Sequence, residues 1–170
     1  TEKTSAGSVE KAVAEYTAWS KGRGYVELSF YGGTFTALPE REMLSFLEEG
    51  NRYIEKGIVH TLRCSTRPDA VTKEIAALLK RYNVSTVELG VQSLSETLLQ
   101  KMQRGHTAAD AYNALDILQN AGIKTGFQFI TGYPEEDSAE FEESLEIVQK
   151  SDSKPDFMRI YPFVMLPETE

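Results

Sequence analysis

One cysteine, Cys64, stands among 170 residues. A lone thiol excludes an internal disulfide and any cysteine-clustered metal site built by this chain alone. No apolar run approaches the roughly 20 residues needed to cross a bilayer. No signal-peptide pattern is present either, so the cytoplasm is the expected compartment. Basic residues are few: 18 Lys and Arg stand against 26 Asp and Glu, a net charge of −8. That balance argues against a general nucleic-acid-binding surface, because phosphate is held mainly by Lys and Arg. A local basic patch stays open. No linker, low-complexity tract or domain break divides the chain, so residues 1–170 read as one domain. With 41% hydrophobic and 26% charged residues, the composition is that of an ordinary globular protein. The chain opens without Met and closes on Pro-Glu-Thr-Glu, which reads as a piece of a longer protein.

What is present alternates. Val9, Val13, Tyr16 and Trp19 recur near helical spacing over 7–21, and Gly22 and Gly24 end that segment. Residues 25–31 alternate as a strand. Pro39, Glu40 and Glu42 suit a first helical turn, and Met43, Leu44, Phe46, Leu47 and Ile54 supply its stripe. Residues 58–65 read as the next strand. Thr72 suits the cap of a helix whose Ile75, Leu78, Leu79 and Tyr82 share a face. Residues 86–92 form another strand. Thr107 and Asp110 have capping-box spacing before a helix carrying Leu115 and Leu118, and Gly122 suits its end. Residues 124–131 make a fourth strand. Asp137 and Glu140 repeat the capping spacing ahead of Phe141, Leu145 and Val148, and 157–163 make the last strand.

Strands alternating with helices imply parallel strands joined by right-handed crossovers. Five such strands make an open doubly wound sheet or most of a barrel, and strand parity separates the two. A parallel strand buried on both faces is apolar on both. Here Val26, Leu28 and Phe30 oppose Glu27, Ser29 and Tyr31, while Leu62 and Cys64 oppose Thr61, Arg63 and Ser65. Val87, Leu89 and Val91 oppose Glu88, Gly90 and Gln92; Phe127 and Phe129 oppose Gly126 and Gln128; Met158 and Ile160 oppose Arg159 and Tyr161. A buried polar group without a partner costs about 1–3 kcal/mol. A curved sheet with helices outside and a polar lumen avoids that cost. Small closed barrels fill their interior with branched apolar residues, so this barrel is wider or open, with a ligand inside. Cys64 falls on the apolar face and reads as a small core residue.

In α/β folds, ligands sit at the carboxyl ends of the strands. Gly32, Gly33, Thr34 and Thr36 follow the first strand; Ser65, Thr66 and Arg67 end the second; Gln92 and Ser93 end the third; Gln128 and Gly132 mark the fourth. Arg104, Gly105 and His106 interrupt the third helical region. Two glycines behind a strand weaken it unless the backbone bends sharply or something approaches it closely. Plainer roles stand beside these. Gln92 and Gln128 suit hydrogen bonds within the lumen, Arg104 suits pairing with acidic neighbours, and Arg159 and Tyr161 suit pairing with Glu88. His106 suits a helix-terminal or surface position, and Thr66–Asp69 a turn into the Thr72 helix. A metal-independent lyase or aldolase would want a lysine or paired carboxylates at a strand end. Only Glu27 and Glu88 stand on the inner face, low in the lumen.

The stretches YGGTFTALP (31–39), STRPD (65–69), ELGVQS (88–93), RGHT (104–107), TGYPEED (131–137) and RIYPF (159–163) follow in that order. Together they resemble the radical S-adenosylmethionine (SAM) superfamily. The nearest resemblance is to the core of the elongator-type catalytic subunit, with the oxygen-independent coproporphyrinogen III oxidases as more distant cousins. The resemblance implies a partial (β/α)6 barrel, α/β in class, with SAM across its top and about five strands present. By position, Gly32, Gly33 and Thr34 would meet the methionine end of SAM, and Ser65, Gln92, Arg104 and Gln128 match further SAM-contacting positions. Many relatives carry a carboxylate where Ser65 stands, and some where Gln128 stands. The family's Cys-x3-Cys-x2-Cys loop, which ligates a [4Fe–4S] cluster, is absent. The resemblance places it, with the first strand, just upstream, so this chain as given cannot hold the cluster and is expected to be inactive. The implied chemistry is reductive cleavage of SAM to a 5′-deoxyadenosyl radical that abstracts hydrogen, which needs an electron donor. Elongator relatives act on transfer RNA uridines, a partner the acidic balance does not support. The alternative is a non-catalytic or metal-independent barrel that binds a polar small molecule.

Overall fold

The computed structural model describes residues 6–20, 24–134 and 138–164; Gly22 and Asp137 lie outside them. Six α-helices and five strands alternate: α1 (Ala6–Ser20), β1 (Glu27–Phe30), α2 (Glu40–Glu55), β2 (Thr61–Thr66), α3 (Lys73–Arg81) and β3 (Val84–Gln92). Then come α4 (Glu96–Lys101), α5 (Ala108–Asn120), β4 (Lys124–Thr131), α6 (Ser138–Lys150) and β5 (Phe157–Pro162). The strands lie in the order β1-β2-β3-β4-β5 and every neighbouring pair is parallel. A doubly wound sheet would reverse its order partway. This one winds in a single direction and forms a half-barrel with helices outside.

The local signals explain the elements. The Thr72 side chain accepts from the Ile75 amide at 3.2 Å and starts α3. Thr107 and Asp110 form a full capping box at the head of α5, each side chain taking the other's backbone N–H. The outward strand face is dry: Leu62, Cys64, Val87, Leu89, Val91, Phe127 and Phe129 are all fully buried. Helix α2 packs Met43, Phe46 and Leu47 toward that core. On β5, Met158 and Ile160 point the same way but stay nearly half exposed. Among the described residues, no helix is long and apolar enough to cross a membrane.

Strand ends shift by up to three residues from the sequence reading, and two differences have a clear cause in the backbone. Strand β2 begins at Thr61, not at residue 58, because the Ile58 and Val59 amides bond back to the Tyr53 carbonyl at 3.0 and 3.1 Å. Those bonds use the last turn of α2, and the strand starts only after them. The third helical region is two helices. The Arg104 amide bonds the Leu99 carbonyl at 2.9 Å and Gln103 takes φ 52°, which ends α4 before α5 begins.

Candidate functional site

The loop after β1 is held from below. Thr36 donates its hydroxyl hydrogen to the Ala70 carbonyl at 2.6 Å, receives one from the Thr66 hydroxyl at 2.5 Å, and its amide reaches the same Thr66 oxygen at 3.4 Å. All three groups are satisfied, so the chain pins residues 34–37 to the end of β2. The glycines above it are not packed. Gly32 has φ +106°, which a side chain resists, yet a methyl on Gly32 or Gly33 would meet no protein atom within 4 Å. Packing against protein therefore does not account for Gly33. It leaves the backbone open to whatever occupies the rim.

At the end of β3, Gln92 is a non-glycine residue at φ +68° and is 7% exposed. Its amide folds back over Gly90: a methyl there would lie 2.9 Å from Gln92 Nε2 and 4.0 Å from Gln128 Oε1. The two glutamines thus converge over one bare stretch of backbone. Ser65 is half-buried on β2, level with Glu88, and its hydroxyl has no partner among the described residues.

Two arginines flank this rim and only one is paired. Arg67 grips Asp69 with two nitrogens, Nε to Oδ1 at 2.9 Å and Nη2 to Oδ2. That pairing raises Arg67 and lowers Asp69 from their ordinary pKa values. Arg104 is half-buried, and its guanidinium has no hydrogen-bond or ion-pair partner among the described residues. Burial, then the positive charge of Arg67, depresses its pKa. Its nitrogens are not among the buried unpartnered atoms and stay open to solvent, so this partly buried cation is free to take an anionic group at the rim.

Below the rim lies a buried ion cluster on Glu88, which is 0% exposed. Tyr31 donates its hydroxyl to Oε1 at 2.7 Å and Gln128 Nε2 donates to Oε2 at 2.5 Å. Arg63 Nη2 pairs with Oε1, and Arg159 Nε lies 3.3 Å from Oε2. Arg63 also reaches Glu27 at 3.0 Å. One carboxylate on β3 therefore ties side chains from β2, β4 and β5 and the Tyr31 hydroxyl, one residue past β1. Burial alone would raise Glu88, but the bonds from Tyr31 and Gln128 and the charges of Arg63 and Arg159 outweigh it and lower its pKa. Burial, then Glu88, pushes Tyr31 up to about 12, so it stays a donor. Because a carboxylate only accepts, Gln128 must present Nε2 to Glu88 and keep Oε1 for the rim. Of the two residues expected to pair with Glu88, Arg159 does, while Tyr161 bonds Arg159 instead; Arg63 and Tyr31 joining Glu88 is new. So is the height of Glu88, which lies level with Ser65 and not at the base.

The base is closed by Phe157. Its ring sits where a side chain on Gly126 would go, 2.3 Å from the position of an added methyl. The Arg63 and Lys124 cations approach the ring at 5.2 and 5.6 Å. A glycine on the polar face of β4 was the available signal for such close approach. His106 is 3% exposed, not on the surface, and its Nε2 lies 3.0 Å from the Val91 carbonyl oxygen. Nothing in its polar flanks marks it as buried. Of the sequence-derived positions, Gln92 and Gln128 come together over Gly90 and Ser65 lies level with Glu88; Arg104 stands near Arg67, and Gly32, Gly33 and Thr34 line a cavity beside β1. This largely apolar cavity of about 390 Å³ opens beside β1 and reaches the same glycine loop, lined by Val9, Leu28, Phe30, Gly33, Phe35 and Phe46.

Among the described residues, no group of three or more His, Cys, Asp or Glu could hold a metal ion. Cys64 is buried on the outward face. Burial, then Glu88, pushes its thiol up to about 12.

Residues 2–148 match the family described as the Radical SAM superfamily. The tRNA uridine(34) acetyltransferase of Methanocaldococcus infernus is 34% identical over 166 residues, which takes in 85% of this chain and 30% of that protein. Elongator complex protein 3 of Mus musculus is 25% identical over 162 residues, with the same two shares. The chain thus spans about 30% of the length of these curated relatives. Among solved structures, the archaeal Methanocaldococcus infernus Elp3 with an N-terminal deletion superposes with a TM-score of 0.79 at 23% identity, over 98% of this chain and 45% of that one. Coproporphyrinogen III oxidase from Escherichia coli superposes at 0.71 and 17% identity, over 95% and 38%. The half-barrel and the family match agree: this chain belongs to the radical SAM superfamily.

Proposed function

We propose that the carboxyl-end rim of this half-barrel holds SAM for a radical enzyme of which these 170 residues are the core. The observation that carries the reading is the half-buried Arg104 guanidinium without a counter-ion. It stands at the same rim as the open Gly32-Gly33 backbone and the converging Gln92 and Gln128 amides. SAM presents matching chemistry. Its methionine end carries a carboxylate for Arg104 and an ammonium group for the Gly32–Thr34 backbone carbonyls. Its ribose and adenine offer donors for Gln128 Oε1, the acceptor left free by Glu88, and for the Ser65 hydroxyl. Thr34 and Gln92 complete the polar lining. When reductively cleaved, SAM supplies a 5′-deoxyadenosyl radical that abstracts hydrogen from a substrate.

The same residues do not fit a [4Fe–4S] cluster. Such clusters take several thiolates, and the single thiol here is buried on the wrong face and held protonated. Its ligands would come from outside these 170 residues, and this chain alone would not cleave SAM. The apolar cavity beside β1 fits a further strand of the barrel. The relatives' names suggest a transfer RNA uridine as the substrate of the whole protein. The net charge of −8 gives this domain no broad phosphate-binding face, so RNA contact would fall mainly to other regions.

The test is SAM binding to the full chain as its gene encodes it, measured anaerobically by equilibrium dialysis. Arg104→Ala is expected to weaken binding by about tenfold or more, the loss of one charge-assisted contact. Arg104→Ala binding as tightly as the parent would overturn the assignment.

A further inference from the structure

The chain reverses at the end of β3 in a conformation that side chains resist. Gln92 sits at φ +68°. The Ser93 amide donates to the Val91 carbonyl two residues back, at 2.9 Å. A bond from residue i to i+2 about a centre of positive φ is the rare, strained form of the γ-turn. Such backbone persists only where the surroundings over-determine it.

The Val91 oxygen receives a second approach. His106 Nε2 lies 3.0 Å from it. A carbonyl cannot donate, so Nε2 carries the hydrogen. The other ring nitrogen, Nδ1, is buried without a partner, and the residue is 3% exposed. The imidazole is thus committed to one contact, on the oxygen that closes the strained turn.

The loop that carries His106 is fixed at both ends. Arg104 N–H bonds Leu99 and ends α4; Thr107 and Asp110 cap α5. Between them, Gly105 lies against the Arg67 guanidinium, where an added methyl would come within 3.1 Å of Nη2. His106 is the side chain through which this loop bonds β3. It therefore sets the separation of two groups borne by different elements: the Gln92 amide on the strand end and the Arg104 guanidinium two residues before the histidine.

We infer that His106 is a positioning residue: its Nε2–H bond to Val91 O locks the strained turn at Gln92 to the Arg104 loop, so that amide and guanidinium meet one ligand. This rests on the reading of the rim as a SAM site. The histidine does not touch the ligand in this account and takes no proton from it.

Two substitutions separate the lock from mere packing. A glutamine places its amide nitrogen near where Nε2 stood and can still donate to Val91 O; an asparagine is too short. The full chain is the sample, with SAM affinity by equilibrium dialysis and hydrogen exchange at the Ser93 amide as two readouts. His106→Asn is expected to speed Ser93 exchange and weaken SAM by about tenfold, the order of one hydrogen bond. His106→Gln is expected to stay near the parent in both. Ser93 exchange unchanged in His106→Asn, or equal loss in both variants, would overturn the inference. Should His106→Asn not fold, ¹⁵N spectra of the parent decide: hydrogen on Nε2 is expected, and hydrogen on Nδ1 alone overturns the lock. If the parent does not bind SAM, the reading of the rim fails, while the Ser93 comparison still decides whether His106 holds the turn.

Discussion

Glu88 on β3 joins β2, β4, β5 and the residue just past β1, and removing its charge tests that role. In Glu88→Gln, one accepting oxygen becomes a donor that faces donors. Tyr31 and Arg63 stand on one side, Gln128 and Arg159 on the other. The magnitude depends on what is left behind. The Arg63 side chain is 14% exposed and would keep only Glu27, at 3.0 Å. Leaving one partner of a buried ion pair uncompensated costs about 3–5 kcal/mol. Arg159, at 44% exposed, can turn to water, and pairs of that kind contribute little. Glu27 offsets part of the Arg63 charge, so the expected loss is at the low end, about 3 kcal/mol. At this chain length each kcal/mol moves the melting temperature by about 2–4 °C, giving a fall of about 6–12 °C. Thermal unfolding by far-ultraviolet circular dichroism at pH 7 reads it, and a urea titration checks that the slope is unchanged. Replacing the pair, with Glu88→Leu and Arg63→Met together, should recover only the Arg63 part of the loss, because Tyr31 and Gln128 still lose their acceptor. A single Glu88→Gln variant within about 0.5 kcal/mol of the parent, the range of an ordinary surface change, would refute the reasoning.

Acid should expose the same carboxylate. The folded pKa of Glu88 is lowered from its ordinary 4.5, so its contribution is complete above 4.5 and is lost as pH falls through the lower folded value. Glu88→Gln should therefore show a flatter acid limb than the parent in a stability–pH series. Gly33→Val should leave the melting temperature nearly unchanged, because a Cβ there meets no protein atom within 4 Å, yet abolish SAM binding by dialysis. Gly126→Ala should cost about 1–3 kcal/mol by overpacking, since its methyl would fall 2.3 Å from the Phe157 ring. Urea unfolding checks it, and adding Phe157→Leu should restore most of the stability.

Much of the architecture was legible because two periods coexist in the sequence. The alternation of Val87, Leu89 and Val91 with Glu88, Gly90 and Gln92 separated an outer apolar face from an inner polar one. That parity alone implies a polar lumen. Capping residues did the same for α3 and α5, where Thr72 and Thr107 act locally. What stayed hidden is what the chain assembles from afar. Tyr31, Arg63, Gln128 and Arg159 meet on Glu88 only because the register brings four other strands around β3. The left-handed Gln92 and the burial of His106 had no local signal, since neither a glycine nor an apolar flank marks them. The start of β2 was misplaced because Ile58 and Val59 look like strand residues, while their amides serve the end of α2.

The most direct test of the central claim is formation of 5′-deoxyadenosine from SAM. The full chain would be reconstituted anaerobically with iron and sulfide and reduced. 5′-Deoxyadenosine is expected to form, and Arg104→Ala and Gly33→Val are expected to suppress it in step with their loss of SAM binding. A well-formed cluster with no 5′-deoxyadenosine and no SAM binding would contradict it. So would a full chain with no cysteines to carry that cluster.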